Sequence, residues 1–293
     1  MADRVLRSRF VNANGVKTHY TEVGDDGPTL VAIHGGGHGS SGKAGMGELI
    51  AALAPLRCVA PDSVGGYGMT DPYAPTPHGL LDRVAHLRDF VDTLCLDRFA
   101  LLGNSQGAWV AAQYALHHPE RVSHLILIGS LTIGQSMGLK QEPTAAMKAL
   151  QSYDGTRAAM KKLLEGLVND SSKITDEVVD QRQAAATRPG AMAAMAAFTK
   201  ATEALRRDPV LSLQMDMRAT LPVLTAHIPT IFIWGQDDHF ALPQTGRALE
   251  PMLPQVKFHW IAGAGHQVQN DKPEVVAAIA LEFLRGSTRQ GAA

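Results

Sequence analysis

Largely apolar runs and helical stripes alternate along most of this chain. Arg9–Asn12 and Val16–Val23 read as strands joined at Asn14-Gly15, a dipeptide suited to a tight hairpin turn. Thr29–His34 and Arg57–Pro61 are apolar runs without alternation, ending at Gly35-Gly36-Gly37 and at Asp62. Such runs suit strands buried on both faces, as in a parallel sheet. Gly47–Leu56 lies between them as a helix. Leu80, Leu81, Val84, Leu87, Val91 and Leu94 recur at helical spacing within Gly79–Leu96. Phe99–Gly103 then reads as strand, Gln106–His118 as helix and Ser123–Gly129 as strand. The alternation resumes with strand Thr230–Trp234, helix Leu242–Met252, strand Lys257–Ile261 and helix Pro273–Arg285, which has proline in its first turn. Strands alternating with helices predict a mostly parallel sheet covered on both faces.

The interval 132–221 departs from that rhythm. Met147–Leu150, Arg157–Val168, Thr175–Ala186 and the Ala/Met-rich Ala191–Leu205 are all helical in pattern. They predict an all-helical insertion within a core made of 1–131 and 222–293. Over the sheet it would act as a lid; the Met/Ala stripe reads as ordinary helix packing, and the low charge and Ala/Met richness of the insertion suit the lining of an apolar pocket.

Composition narrows the function classes. The 293 residues carry a formal net charge of -1, 45% hydrophobic and 19% charged residues, which fits neither a disordered chain nor a basic nucleic-acid binder. There is no apolar run of the roughly 18 residues needed to span a bilayer and no secretory signal pattern, so a cytoplasmic address and no membrane partner are expected. Cys58 and Cys95 sit in apolar segments and read as buried free thiols of a reducing compartment.

The sharpest chemical feature is Gly103-Asn104-Ser105-Gln106-Gly107, where a strand turns directly into a helix. In that context G-x-S-x-G is a nucleophile elbow, with glycines where the backbone folds back tightly. A serine needs a base, the base an orienting acid, and the oxyanion needs donors. His266 follows strand Lys257–Ile261 on a glycine-rich loop; Asp237 and Asp238 follow Thr230–Trp234, and spacing alone does not choose between them. The triple glycine offers one oxyanion N–H, and the N–H of Gln106 the other. A competing reading takes Gly37-His38-Gly39-Ser40-Ser41-Gly42-Lys43-Ala44 as a phosphate loop. It fails at Ala44, where a Ser or Thr should hold magnesium, and at Gly45 and Gly47, which make a poor helix start. No metal-ligand spacing occurs, and neither metal nor cofactor is expected.

Together these residues resemble the α/β-hydrolase family from about residue 10 to residue 284, and within it the meta-cleavage-product hydrolases. The likeness is carried by His34-Gly35-Gly36-Gly37, Gly103-Asn104-Ser105, Val179-Asp180-Gln181-Arg182, Trp234-Gly235-Gln236-Asp237-Asp238 and Gly265-His266. It implies an α/β-hydrolase fold with an eight-stranded sheet. It also implies hydrolysis of a carbon–carbon bond in a vinylogous 1,5-diketone formed by aromatic ring fission. In that family the acid is the fourth residue after the tryptophan, which selects Asp238 to complete a triad with Ser105 and His266. The resemblance makes Gly36 and Gln106 the oxyanion donors, and Gly37, Asn104, Arg182 and Gln267 substrate contacts. Arg182, by pattern a helix-surface residue, becomes the cation for the dienoate carboxylate. Departures cluster at the pocket: Gln106 replaces the usual methionine, Gln267 tryptophan, Gly45 asparagine, and His38 proline or alanine. The expected partner is a small acidic ketone or ester, and dimers are common among proteins of this kind. Alternatives on the same residues are a carboxylesterase or lactonase, a cofactor-free oxygenase using His266 and Asp238, and a ligand sensor with a slow hydrolase site.

Overall fold

The computed structural model describes residues 5–286. Eight strands form one sheet: β1 (Arg7–Ala13), β2 (Val16–Val23), β3 (Thr29–Ile33), β4 (Arg57–Pro61), β5 (Phe99–Asn104), β6 (Val122–Ile128), β7 (Thr230–Gly235) and β8 (Lys257–Ile261). Their spatial order is β1-β2-β4-β3-β5-β6-β7-β8. β2 runs antiparallel to both of its neighbours, β1 and β4, and the remaining strands from β4 and β3 to β8 pair in parallel. Asn14, with φ 50°, and Gly15, with φ 89°, supply the left-handed backbone of the hairpin turn.

Side chains of the central strands alternate between two cores, as the period of two demands. Val31, Ile33 and Leu101 face one side with α2 (Leu80–Thr93) and α3 (Gln106–His117). Leu30, Ala32, Ala100 and Leu102 face the other with α1 (Gly42–Ala52) and the C-terminal helix Pro273–Gly286. Both faces are covered, so the strands have no polar side, and this explains the unalternating apolar runs.

Between β6 and β7 the chain carries α4 (Leu131–Ser136), α5 (Ala145–Gln151), α6 (Arg157–Glu165), α7 (Asp176–Thr187), α8 (Ala191–Arg207) and α9 (Thr220–His227). Thr144, Thr156 and Thr175 cap α5, α6 and α7, each accepting a backbone N–H of the first turn. A small core of its own, including Tyr153, Met160, Leu163, Leu164 and Val179, holds this segment together. After β7 come α10 (Pro243–Leu249), α11 (Val268–Asp271) and α12, the C-terminal helix. No helix of the described residues is long and apolar enough to cross a membrane.

Two expectations need correction. Helix α1 begins at Gly42, not Gly47, because Ser41 caps it by accepting the Ala44 N–H at 3.0 Å. Its glycines permit contact with the sheet: a Cβ at Gly42 would lie 2.0 Å from the Ala60 carbonyl oxygen. Cys95 is exposed; it sits just past the end of α2 with φ 52°, where the chain turns outward. Cys58 is buried. The Ala/Met stripe of α8 turns Met195 and Phe198 into the main core. A Cβ at Gly65 would lie 2.8 Å from the Phe198 ring, so α8 packs on the Gly65-Gly66 turn, and of its residues Arg206 alone borders the pocket described below.

Candidate active site

Ser105 stands at the carboxyl end of β5, in the middle of the sheet, with φ 57° and ψ -121°. Left-handed backbone costs a non-glycine residue about 1–3 kcal/mol, so the surroundings must enforce it. They do: the Ser105 N–H donates to the Ile128 carbonyl (2.9 Å) and its carbonyl accepts the Ser130 hydroxyl (2.7 Å). The flanking glycines are required by contact. A Cβ on Gly103 would sit 2.2 Å from the Gly107 carbonyl oxygen, and one on Gly107 would sit 2.3 Å from that of Ile33.

His266 lies on the loop after β8 and is 3% exposed. Its Nδ1 is 2.9 Å from Asp238 Oδ2, and Asp238 Oδ1 accepts the N–H groups of Phe240 and Ala241, both at 2.8 Å. The carboxylate is thus fixed on both oxygens. With Nδ1–H donating to Asp238, the ring is left with Nε2 as its acceptor. Phe240 stacks on the imidazole with centroids 4.6 Å apart. Asp237 is engaged elsewhere, accepting the Gly263 N–H at 2.8 Å.

Ser105 and His266 border one cavity of about 180 Å³, together with Gly36, Asn104, Gln106 and Gln267. Leu131, Met147, Leu150, Leu167 and Phe240 give it an apolar wall. Among the described residues, neither the Gly36 nor the Gln106 N–H has an intramolecular acceptor. The Asn104 amide donates to the His266 carbonyl (3.1 Å) and ties the nucleophile turn to the histidine loop. Gln267 donates its N–H to the Leu167 carbonyl (2.8 Å), and its Oε1 accepts from Asn270 (3.2 Å).

Arg182 and Gly37 do not border this cavity. Arg182 is 3% exposed and donates to the His38 carbonyl (3.1 Å) and to Ser40 Oγ (2.8 Å). It borders a neighbouring cavity of about 670 Å³ that Gln267 also lines. Gly37 separates the two: a Cβ there would lie 2.9 Å from Leu150 and 3.7 Å from Arg182 Nη2. Burial without a carboxylate partner lowers the Arg182 pKa to about 10, which an arriving anion would reverse.

Four contributors escaped the sequence reading. Arg83, 1% exposed, donates to the His34 carbonyl (2.7 Å), Ser63 Oγ (3.0 Å) and Gln106 Oε1 (3.2 Å), and lies over the Tyr67 ring. Burial pushes its pKa down. Its signal was in the sequence: with Leu80, Leu87 and Phe90 it shares the inward face of α2. Ser130 and Phe240 support Ser105 and His266 as described above. Asp271 accepts the N–H groups of Gly265 (2.7 Å), Asn169 and Asp170 (both 3.0 Å), joining the histidine loop to the helical segment. Nothing in the local sequence marked it. No group of three or more His, Cys, Asp or Glu suited to a metal occurs among the described residues.

Residues 28–273 match the model of the alpha/beta hydrolase fold family. The chain is 30% identical to a 2-hydroxy-6-oxo-2,4-heptadienoate hydrolase of Pseudomonas putida, over 94% of this chain and 95% of that one. It is 31% identical to a 2-hydroxy-6-oxononadienedioate/2-hydroxy-6-oxononatrienedioate hydrolase of Paraburkholderia phymatum, again over 94% and 95%. A solved meta-cleavage product hydrolase of Pseudomonas fluorescens superposes with a TM-score of 0.77 at 26% identity, covering 95% of this chain and 98% of that one.

Proposed function

This chain belongs to the alpha/beta hydrolase family and, within it, to the meta-cleavage-product hydrolases; from that premise we propose the reaction and the role of each residue. The enzyme hydrolyses the carbon–carbon bond beside the ketone of a 2-hydroxy-6-oxo-dienoate, consuming one water and releasing a 2-hydroxy-dienoate and a carboxylic acid. The hydrogen-bonded pair His266–Asp238 opening onto the same cavity as the strained Ser105 is the observation that carries this reading.

A carbon leaving group departs only if its electron pair is delocalised. The dienol must therefore first become a keto form, with a proton added to carbon. Arg182 holds the dienoate carboxylate and assists this step, a task for which a fixed guanidinium suits a planar anion. The buried state of Arg182 supports the role, but the 37–38 turn must open a path between it and Ser105. Gly37, Asn104 and Gln267 contact the bound dienoate.

His266 then accepts the Ser105 proton as Oγ attacks the ketone. The Gly36 and Gln106 N–H groups receive the oxyanion, and Asp238 stabilises the imidazolium. Collapse breaks the carbon–carbon bond; the electron pair enters the dienolate, which takes the proton from the His266 imidazolium and returns the ring to its neutral form. Water, deprotonated by His266, releases the acid from Ser105. Residues 132–221 serve as a lid that excludes bulk water. A cytoplasmic address and a homodimer belong to the same reading. The relatives' names differ in the group beyond the ketone, so they leave the distal half of the substrate unassigned. The test is loss of dienoate absorbance on mixing with the enzyme, and its absence with Ser105→Ala.

A further inference from the structure

Ser8, His19 and Asp62 form a hydrogen-bonded chain that the reaction at Ser105 does not use. His19 Nδ1 lies 2.7 Å from Asp62 Oδ2, and Ser8 Oγ lies 2.8 Å from His19 Nε2. The β1–β2 register accounts for the arrangement. Ser8 pairs with Thr21 and Phe10 with His19, so the four side chains share one face of the hairpin and Ser8 meets His19 diagonally. Asp62 follows β4, and its N–H donates to the His19 carbonyl at 2.9 Å. Its carboxylate is fixed on both oxygens: Oδ1 accepts the Gly42 N–H and Oδ2 the Met69 N–H, each at 2.7 Å. With Nδ1–H donating to this carboxylate, His19 Nε2 is left to accept the Ser8 hydroxyl proton. Phe10 packs edge-on against the imidazole, with ring centroids 5.0 Å apart. His19 and Asp62 are buried, whereas Ser8, at the end of the chain of bonds, is exposed.

Acid, base and hydroxyl thus stand in the order that activates a serine, with the hydroxyl at the open end. All three border the cavity of about 670 Å³. Two further groups on that cavity are uncommitted among the described residues. The Thr21 hydroxyl, on the residue directly opposite Ser8, has no intramolecular partner. Lys43 has no carboxylate within 4 Å, while Glu48 is engaged by Lys173 at 2.9 Å. The geometry points to a second hydrolytic site for small anionic esters, with Ser8 as nucleophile, His19 as general base and Asp62 as its orienting acid. Ser8 Oγ attacks the ester carbonyl as its proton passes to His19 Nε2, and the Thr21 hydroxyl donates to the oxyanion. Collapse breaks the bond to the alcohol oxygen, which leaves with the proton of the imidazolium. Water, deprotonated by His19, then frees the acid from Ser8. Lys43 attracts the negative charge of the substrate. One hydroxyl stands here in place of the two N–H groups beside Ser105, and each such donor contributes about 10²–10³-fold. Turnover at Ser8 is therefore slow, and acylation is the step to observe.

The test uses Ser105→Ala, in which the first site is silent. An alkyl fluorophosphonate should label this variant once per chain, on the peptide containing Ser8, and p-nitrophenyl acetate should release close to one equivalent of p-nitrophenolate in a burst. Adding Ser8→Ala should abolish both label and burst. Ser8 is exposed and its loss leaves the His19–Asp62 bond in place, so this variant should fold, as circular dichroism will check. Adding His19→Gln in its stead should slow labelling by about 10²-fold or more, the scale of general-base catalysis. 4-Acetoxybenzoate should acetylate Ser8 about two- to fivefold faster than 4-acetoxybenzamide, the scale of an exposed ion pair. Equal rates overturn the anionic substrate class. No label in Ser105→Ala, or a label that persists when Ser8→Ala is added, overturns the site.

Discussion

Replacing Gly36 by alanine separates packing from catalysis at the oxyanion turn. Gly36 has no left-handed backbone, so alanine is not excluded by conformation. Space is the obstacle: the new Cβ would lie 2.6 Å from Gln106 Cδ and Oε1 and 2.9 Å from Nε2. Carbon atoms rest at about 3.5–4.0 Å, so the Gln106 amide must retreat by about 1 Å. That amide is held by Arg83 Nη1 at 3.2 Å, and the retreat breaks the bond. A hydrogen bond to a buried charge contributes about 1.5–3 kcal/mol. At about 2–4 °C per kcal/mol for a domain of this order of size, the melting temperature should fall by roughly 3–12 °C. Whatever part of the clash is relieved by the turn in place of the amide carries the Gly36 N–H off the oxyanion, and full loss of that donor would lower kcat by about 10²–10³-fold with little change in KM. Gln106→Ala loses the same Arg83 bond by another route, so the two substitutions should be strongly non-additive in denaturant unfolding. Unchanged kcat and stability in Gly36→Ala, or additive losses in the double variant, would refute the contact argument.

Asp238→Asn should lower kcat by about 10⁴-fold, the scale known for this substitution in another serine hydrolase triad, while leaving KM nearly unchanged in steady-state kinetics. An equal loss in Asp237→Asn would count against the assignment. The pH dependence of stability should change in His86→Gln. His86 Nε2 lies 2.8 Å from Thr18 Oγ1, and burial lowers its pKa to about 4. Between that value and the unfolded pKa of about 6.5, the unfolded chain binds the extra proton, so this group makes stability fall as pH falls. Urea unfolding at pH 7 and pH 5 should show the wild type losing about 1–2 kcal/mol more than the variant. An identical pH dependence would contradict the buried neutral imidazole.

The parts of this molecule fixed by local rules were legible in its sequence. Ser105 could be read because three constraints coincide in five residues: a strand end, a helix start and glycines where any Cβ would strike backbone. The parallel core was visible because strands covered on both faces lose polar alternation. Where long-range contacts decide, pattern misled. Gly45 and Gly47 look like a poor helix start, yet α1 runs through both from Gly42, where a Cβ would strike the Ala60 carbonyl of the sheet. Cys95 sits among apolar residues, yet the end of α2 turns it outward. The α8 stripe is apolar for the sake of Met195 and Phe198 in the core, whereas Arg206 at its end borders the cavity. Between Asp237 and Asp238 spacing was silent; the turn after β7 brings Asp238 to His266 and gives Asp237 to Gly263.

The central claim is carbon–carbon hydrolysis at Ser105, and following the absorbance of a 2-hydroxy-6-oxo-dienoate tests it most directly. Wild-type enzyme should consume the chromophore with stoichiometric release of the 2-hydroxy-dienoate and the acid, and Ser105→Ala should bind the dienoate without releasing either product. Ready hydrolysis of p-nitrophenyl esters with the dienoate left intact, or full turnover by Ser105→Ala, would contradict it.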